Sequence, residues 1–289
     1  MYATMLMAVD GTDTARHALE QGLVLARSEE ARAVIVSVVP SYDGDLRLLG
    51  DTSALDAMRE PYKAALDRAA ARAAEMGVPS ETVLLEGDPV EELLDLAQDR
   101  NVDCMVLGKR GNFYSDLIPI GSVASKVARL AGSDVLLVPL HKELRPDRML
   151  IPYDGSDHAY ASACRALELA TRYGSSVCLA TVYELPLEGF AQGPHLGKVF
   201  HEKAAETQRV VQDLAEKLGV RNLDVVVRQG MPVHRVLTEL IHERDVGLVV
   251  MSNVGRGNLH LLLMGKVTER VIGGGAAPVL LARKDNTKQ

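Results

Sequence analysis

The chain has 289 residues, of which 47% are hydrophobic and 25% charged, and its net charge is −7. That length suits two domains of ordinary size, and the composition is that of a globular protein. The acidic balance argues against a general nucleic-acid footprint, and no apolar run is long enough to span a membrane.

Taken in chain order, the segments alternate between strand and helix. Met1 to Val9 is apolar but short, lacks a basic leader region and a small-residue cleavage site, and runs into Asp10, so Thr4–Val9 reads as a first strand. Asp13–Ser28 has helical periodicity, and Ala33–Val39 is a second strand rich in β-branched residues. An Ala-rich helix covers Ser53–Met76 and stops at Gly77 and Pro79. Val83–Leu85 is a short third strand. Asp88 then caps a helix with Pro89 at its first position, running to about Arg100. Val102–Leu107 is a strand, Ser122–Leu130 a helix and Val135–Val138 the last strand of this half. The polar stretch His141–Asp147, with Pro146, marks a boundary. The same order then repeats from Arg148–Tyr153 through Val279–Leu281. Trp is absent and aromatics make up only 4%, so the core must be aliphatic, as suits helices packed on a parallel sheet.

The repetition extends to motifs. Asp10-Gly11-Thr12 returns as Asp154-Gly155-Ser156, and Gly111 and Gly121 return as Gly255 and Gly265, each 144 residues on. Gly87-Asp88-Pro89-Val90 returns as Gly230-Met231-Pro232-Val233 after 143. Such a period is too long for a solenoid, so each repeat is a domain, with bounds placed at residues 1–142 and 146–285. Charge is uneven between them. Residues 1–144 carry 14 Lys and Arg against 23 Asp and Glu, a net of −9, and the remainder carry 18 against 16, a net of +2. This is either drift on two solvated surfaces or a difference in the faces shown to partners. Cys104, Cys164 and Cys178 have no metal-ligand spacing and read as small buried hydrophobes of a reducing, cytoplasmic setting.

An α/β class follows, with two tandem doubly wound domains, each a parallel sheet flanked by helices. Such sheets bind ligands beyond the C-terminal ends of strands where strand order reverses, so the residues after strands one, two and four carry the interest. Gly108 closes the fourth strand, Gly111 follows after two residues, and Gly121-Ser122 opens a helix after nine more. Glycines admit close backbone approach, and a helix N-terminus offers unsatisfied N–H groups and a positive dipole, a combination that can wrap a polyphosphate. Asp10, at the neighbouring strand end, can accept hydrogen bonds from a ribose or adenine. The plainer alternative is that these glycines are turn residues and Gly121-Ser122 only a cap.

Gly108-x2-Gly111-x9-Gly121-Ser122 resembles the ATP-binding pattern of the universal stress protein family, as do the strand ends Val9-Asp10-Gly11-Thr12 and Tyr153-Asp154-Gly155-Ser156 and the repeated Gly-x-Pro-Val. The two repeats carry the resemblance over nearly the whole chain. It implies a five-stranded parallel sheet of order 3-2-1-4-5 in each half. It also implies ATP or another adenine nucleotide as ligand, with Mg2+ a candidate companion, and no metal site of the protein's own. By motif position it implies that Ala8, Val9, Asp10, Val38, Leu107, Gly108, Arg110, Gly111, Gly121, Ser122, Val123 and Ala124 hold the nucleotide. Association through the last strands is implied too, between halves or between chains as a homo-oligomer. The expected function is stress response or signalling by nucleotide binding, with a nucleotide-free interaction scaffold or a slow ATPase or phosphoryl-transfer protein as alternatives. No catalytic residue is assigned, and at most slow ATP hydrolysis is expected.

The second half departs from the pattern. Ser252 replaces the first glycine, where a positive φ would disfavour a Cβ, and Lys266 replaces the serine after Gly265. Lys266 either pairs with a phosphate or fills its place, and a degenerate, structural second half is the expected case. Gly265-Lys266 is no Walker A loop, because His260 and Val267 stand where a glycine and a hydroxyl residue belong. Gly273-Gly274-Gly275 reads as a helix C-cap. His158, His201, His234 and His242 fall on helices and read as solvated or partly packed. Lys109-Arg110 either reaches phosphates or is exposed loop charge. Tyr42–Thr52 and Glu184–Gly197 read as irregular connectors, either lids and partner surfaces or covers without a specific role.

Overall fold

Aliphatic runs become strands in the order the alternation predicts. The structure, a computed structural model, describes residues 2–41, 52–109, 120–184, 194–253 and 264–283, and the chain divides into units Met1–His141 and Lys142–Gln289. In the first unit the described elements are β1 (Thr4–Ala8), α1 (Asp13–Glu29), β2 (Arg32–Pro40), α2 (Thr52–Glu75), β3 (Ser80–Gly87), α3 (Pro89–Asp99), β4 (Cys104–Gly108), α4 (Ser122–Leu130) and β5 (Asp134–Val138). The strands pair in parallel in the order β3-β2-β1-β4-β5. β1 runs beside β2 from Thr4↔Arg32 to Ala8↔Val36 and beside β4 from Met5↔Cys104 to Met7↔Val106.

This order explains the composition of the strands. β1 and β4 are covered on both faces, so Met5, Leu6, Met7 and Met105 are fully buried and the sequence reads as an unbroken aliphatic run. Burying each such side chain contributes about 1.5–3 kcal/mol. The helices begin where local chemistry dictates. Thr12 Oγ1 accepts the Ala15 N–H at 3.0 Å and caps α1. Asp88 Oδ1 accepts the Val90 and Glu91 N–H groups at 2.8 and 3.2 Å and caps α3, with Pro89 in the first turn.

The second unit contains β6 (Arg148–Pro152), α5 (Asp157–Tyr173), β7 (Ser176–Tyr183), α6 (Pro194–Lys217), β8 (Leu223–Gln229), α7 (Val233–Glu243), β9 (Leu248–Met251), α8 (Lys266–Gly274) and β10 (Val279–Leu281). Its parallel order is β8-β7-β6-β9-β10, the same 3-2-1-4-5 order. Leu150, Ile151 and Leu167 are fully buried at its centre. Ser156 caps α5 as Thr12 caps α1, accepting the Ala159 N–H at 3.1 Å. Gly275 ends α8 in the left-handed region at φ 62°.

Several expectations are corrected. The third strand is eight residues long, not the three of Val83–Leu85, because it pairs with β2 all the way from Ala33↔Ser80 to Pro40↔Gly87. Its rim residues are polar and alternately exposed, which hid them from a search for aliphatic runs. The helix after the second connector begins at Pro194, inside the stretch read as irregular. The rest of that connector from residue 185, and residues 42–51 of the first, lie outside the described residues. Cys104 and Cys178 are buried, but Cys164 is only half-buried on α5. Among the described residues no helix is long and apolar enough to cross a membrane.

Candidate functional site

The turn from β1 into α1 is built by three residues in succession. Asp10 Oδ1 accepts the Thr12 N–H at 3.0 Å, Gly11 takes φ +84°, and Thr12 caps the helix. An Asx turn, a left-handed residue and an N-cap together require the Asp-Gly-Thr order. The second half uses identical chemistry: Asp154 Oδ1 accepts the Ser156 N–H at 2.9 Å and Gly155 has φ +79°. The repeated motif is therefore a fold device in both halves, and it leaves the exposed Asp10 carboxylate at the C-terminal end of the sheet. Ser37 Oγ secures the strand end from β2 by donating to the Val9 carbonyl at 2.7 Å.

The helix at the other side of the switch point is different. Gly121 is the N-cap of α4, and no side chain caps this helix. The Gly121 N–H donates to the Lys109 carbonyl at 2.8 Å, which ties the helix entrance to the end of β4. Ser122 is the first residue of the helix, so of the Gly121-Ser122 pair it is Gly121 that holds the cap position. The N–H groups of a helix's first turn have no intrahelical acceptor. α1 and α3 satisfy part of this need with Thr12 and Asp88, whereas α4 does not.

Between these features lies a cavity of about 600 Å3, inside the usual range of about 300–1,000 Å3 for small-molecule sites. Ala8, Val9 and Asp10 line it from the end of β1, and Val38 from β2. Leu107 and Gly108 line it from β4, and Gly121, Ser122, Val123 and Ala124 from the start of α4. Ten of the residues selected from sequence thus share one cavity, while Arg110 and Gly111 lie outside the described residues. Nine further lining residues were not selected, among them Tyr62 of α2, Asp88 and Leu93 at α3, and Lys126 of α4. The repeated Gly-x-Pro-Val marked the Asp88 region, and Lys126 stands four residues after Ser122, but neither signal names a ligand.

Electrostatics within the cavity are mixed. Burial, and then the Asp10 charge, push the Tyr62 hydroxyl above its ordinary range. The Glu91 and Val90 N–H groups hold the Asp88 carboxyl below the usual carboxylate range; burial opposes them, and the Lys126 charge adds a smaller downward pull. Among the described residues no cluster of three or more His, Cys, Asp or Glu could hold a metal ion, and Asp10 and Asp88 do not form one. Lys109 is buried, so it is not exposed loop charge.

Gly108 has a reason that the sequence did not disclose. Its φ is not positive; instead, a Cβ there would lie 2.8 Å from Thr14 Cγ2 and 2.9 Å from the Thr14 carbonyl carbon. The residue is glycine because α1 packs hard against the end of β4. The expected positive φ at Ser252 is likewise absent, and its buried side chain is accommodated.

The second half keeps the frame and changes the lining. Gly265 is again an N-cap without a side-chain bond, and its N–H donates to the Asn253 carbonyl at 2.8 Å. Lys266 is exposed at the first position of α8. Thr268, standing where the first half has Ala124, donates its hydroxyl to the Ser252 carbonyl at 3.0 Å. At the end of β7 the Tyr183 ring stacks on Phe200 at 6.2 Å and meets His201 edge-on at 6.3 Å. His158 and His234 are partly packed, and His201 and His242 are exposed.

Comparison with known proteins gives a consistent result. The model of the universal stress protein family matches twice, over residues 1–139 and 146–283. A universal stress protein of Bacillus subtilis is 32% identical over 149 residues, 48% of this chain and 99% of the relative. One of Mycobacterium tuberculosis is 30% identical over 214 residues, 69% of this chain and 64% of the relative. The crystal structure of a universal stress protein from Archaeoglobus fulgidus superposes with a TM-score of 0.76 at 20% identity, covering 99% of this chain and 97% of that one.

Proposed function

We propose, for a chain that belongs to the universal stress protein family along both of its halves, that the first half binds ATP or another adenine nucleotide and acts in stress response or signalling through that binding. The observation that carries this reading is the cavity at the ends of β1, β2 and β4, into which the start of α4 opens without a side-chain cap. Such a helix start favours phosphate through its free N–H groups and its dipole. Aliphatic Val38 and Leu93 offer an apolar surface for a base, and the Asp10 carboxylate an acceptor for ribose hydroxyls or an exocyclic amine. Ala8, Val9, Leu107, Gly108, Gly121, Ser122, Val123 and Ala124 complete the lining of this reading. Any Mg2+ in this reading arrives with the nucleotide's phosphates, the usual mode for this ion.

The second half is read as degenerate and structural, on the changes at Ser252, Lys266 and Thr268. Self-association of whole chains belongs to the same reading and rests on the family resemblance alone; sedimentation of the purified chain over a range of concentrations tests it. Mass spectrometry of small molecules released from the purified protein tests the ligand, followed by titration of the stripped protein with ATP, ADP and AMP. Micromolar binding of one of them supports the reading. Failure of all three to bind overturns it in favour of a nucleotide-free scaffold, and steady release of ADP at enzymatic rates would instead indicate phosphoryl transfer.

A further inference from the structure

Lys126 lines the same cavity as Ser122 and stands four residues beyond it on α4. Residues four apart share a helix face. Side chains on a helix lean toward its N-terminus, so the exposed Lys126 side chain is directed back along the face that Ser122 begins. That is where the first turn of α4 lines the cavity without a side-chain cap. Among the described lining residues Lys126 is the one cation, set against the carboxylates of Asp10 and Asp88.

Asp88 is already engaged. Its Oδ1 is occupied by the Val90 and Glu91 N–H groups, and its carboxylate senses the Lys126 charge. A nucleotide entering the cavity adds negative charge at its phosphate end only. Adenine and ribose are uncharged and gain less from an ammonium than the phosphate oxygens do. We propose that Lys126 is a phosphate ligand of the first-half cavity, that its ammonium makes affinity rise with the number of phosphates, and that Asp88 competes with the ligand for it. This rests on the nucleotide reading of the cavity and adds to it the residue that sets phosphate-number preference.

The test is calorimetric titration of the full chain with adenosine, AMP and ATP, for the wild type and for Lys126→Ala, Lys126→Arg, Asp88→Asn and the Lys126→Ala/Asp88→Asn double variant. Lys126→Ala should weaken ATP binding about five- to tenfold, as suits a charge-assisted bond at an exposed side chain, and leave adenosine within about twofold. Lys126→Arg should keep the preference. Asp88→Asn preserves a capping side chain and should tighten ATP by about two- to threefold through removal of the competing charge. That gain should vanish in the double variant. The ATP affinity of the wild type should fall with added salt more steeply than that of Lys126→Ala. If the wild type binds all three ligands and Lys126→Ala weakens them equally or not at all, the Lys126 assignment is wrong and the nucleotide reading stands. If the wild type binds none of the three, both fail. A gain for Asp88→Asn that persists in the double variant would overturn the competition.

Discussion

Alanine at Gly108 tests whether this glycine serves the fold or only the ligand. An ideal Cβ at this position lies 2.8 Å from Thr14 Cγ2, 2.9 Å from the Thr14 carbonyl carbon and 3.0 Å from its oxygen. Carbon atoms in good contact sit about 3.5–4.0 Å apart, so the added methyl is too close to carbon by roughly half an ångström or more. The Thr14 methyl can rotate away, but the carbonyl belongs to the first turn of α1, and that turn must shift off the sheet. Overpacking of this kind costs about 1–3 kcal/mol. For a unit of this size each kcal/mol moves the midpoint by about 2–4 °C, so a loss of roughly 2–12 °C is expected. The assay is thermal and denaturant unfolding of the nucleotide-stripped chain, comparing wild type, Gly108→Ala, Thr14→Ala and the double variant. Thr14→Ala removes the Cγ2 contact and leaves the backbone ones, so the double variant should recover only part of the loss. A Gly108→Ala protein within about 0.5 kcal/mol of wild type, the usual effect of a surface change, would refute the packing argument.

Other consequences are as direct. Gly121→Val places its side chain at the mouth of the α4 N-terminus, yet φ −61° and ψ 150° suit any L residue, so the fold should survive. ATP at 100 times its dissociation constant adds about 2.7 kcal/mol to the wild type; fluorimetric melting should show that gain lost in Gly121→Val and kept in Gly265→Val, and the opposite pattern would place the site in the second half. Removing the α1 cap with Thr12→Ala should lower stability by about 0.5–2 kcal/mol, measured by denaturant unfolding. Burial, followed by the Asp224 charge, pushes the Cys178 thiol up to about 11 from 9.0. The folded state therefore keeps a proton that the unfolded state releases, so stability is full below pH 9 and falls between pH 9 and about 11, by on the order of 2 kcal/mol. Cys178→Ala should lack that part of the decline, and identical pH profiles for the two proteins would contradict the assignment.

What the sequence determined by itself is what neighbouring residues can settle among themselves. Asp10-Gly11-Thr12 and Asp154-Gly155-Ser156 contain an Asx turn, a left-handed glycine and a cap within three residues, so each turn and the helix after it follow from local chemistry. The aliphatic runs at β1, β4 and β6 are long enough to identify buried parallel strands, and the 144-residue repeat makes the second unit a copy of the first. The strand-end residues of the cavity were legible for the same reason: a doubly wound sheet places its ligands beyond the C-terminal strand ends, and those ends can be counted along the chain. Tertiary structure decided everything that depends on a distant partner. The extent of β3 is set by hydrogen bonding to β2, so its polar rim carried no signal. The glycine at 108 answers to Thr14, some ninety residues earlier, and nothing in its own neighbourhood reveals that contact. Tyr62, Leu93 and Lys126 come from three helices whose spacing in sequence is unrelated, and they meet in one cavity only because α2, α3 and α4 pack over the same end of the sheet. Helix periodicity says which face of each is apolar, but the height and rotation at which it docks are settled by packing across the sheet, and that is what gives the cavity its lysine and its second carboxylate.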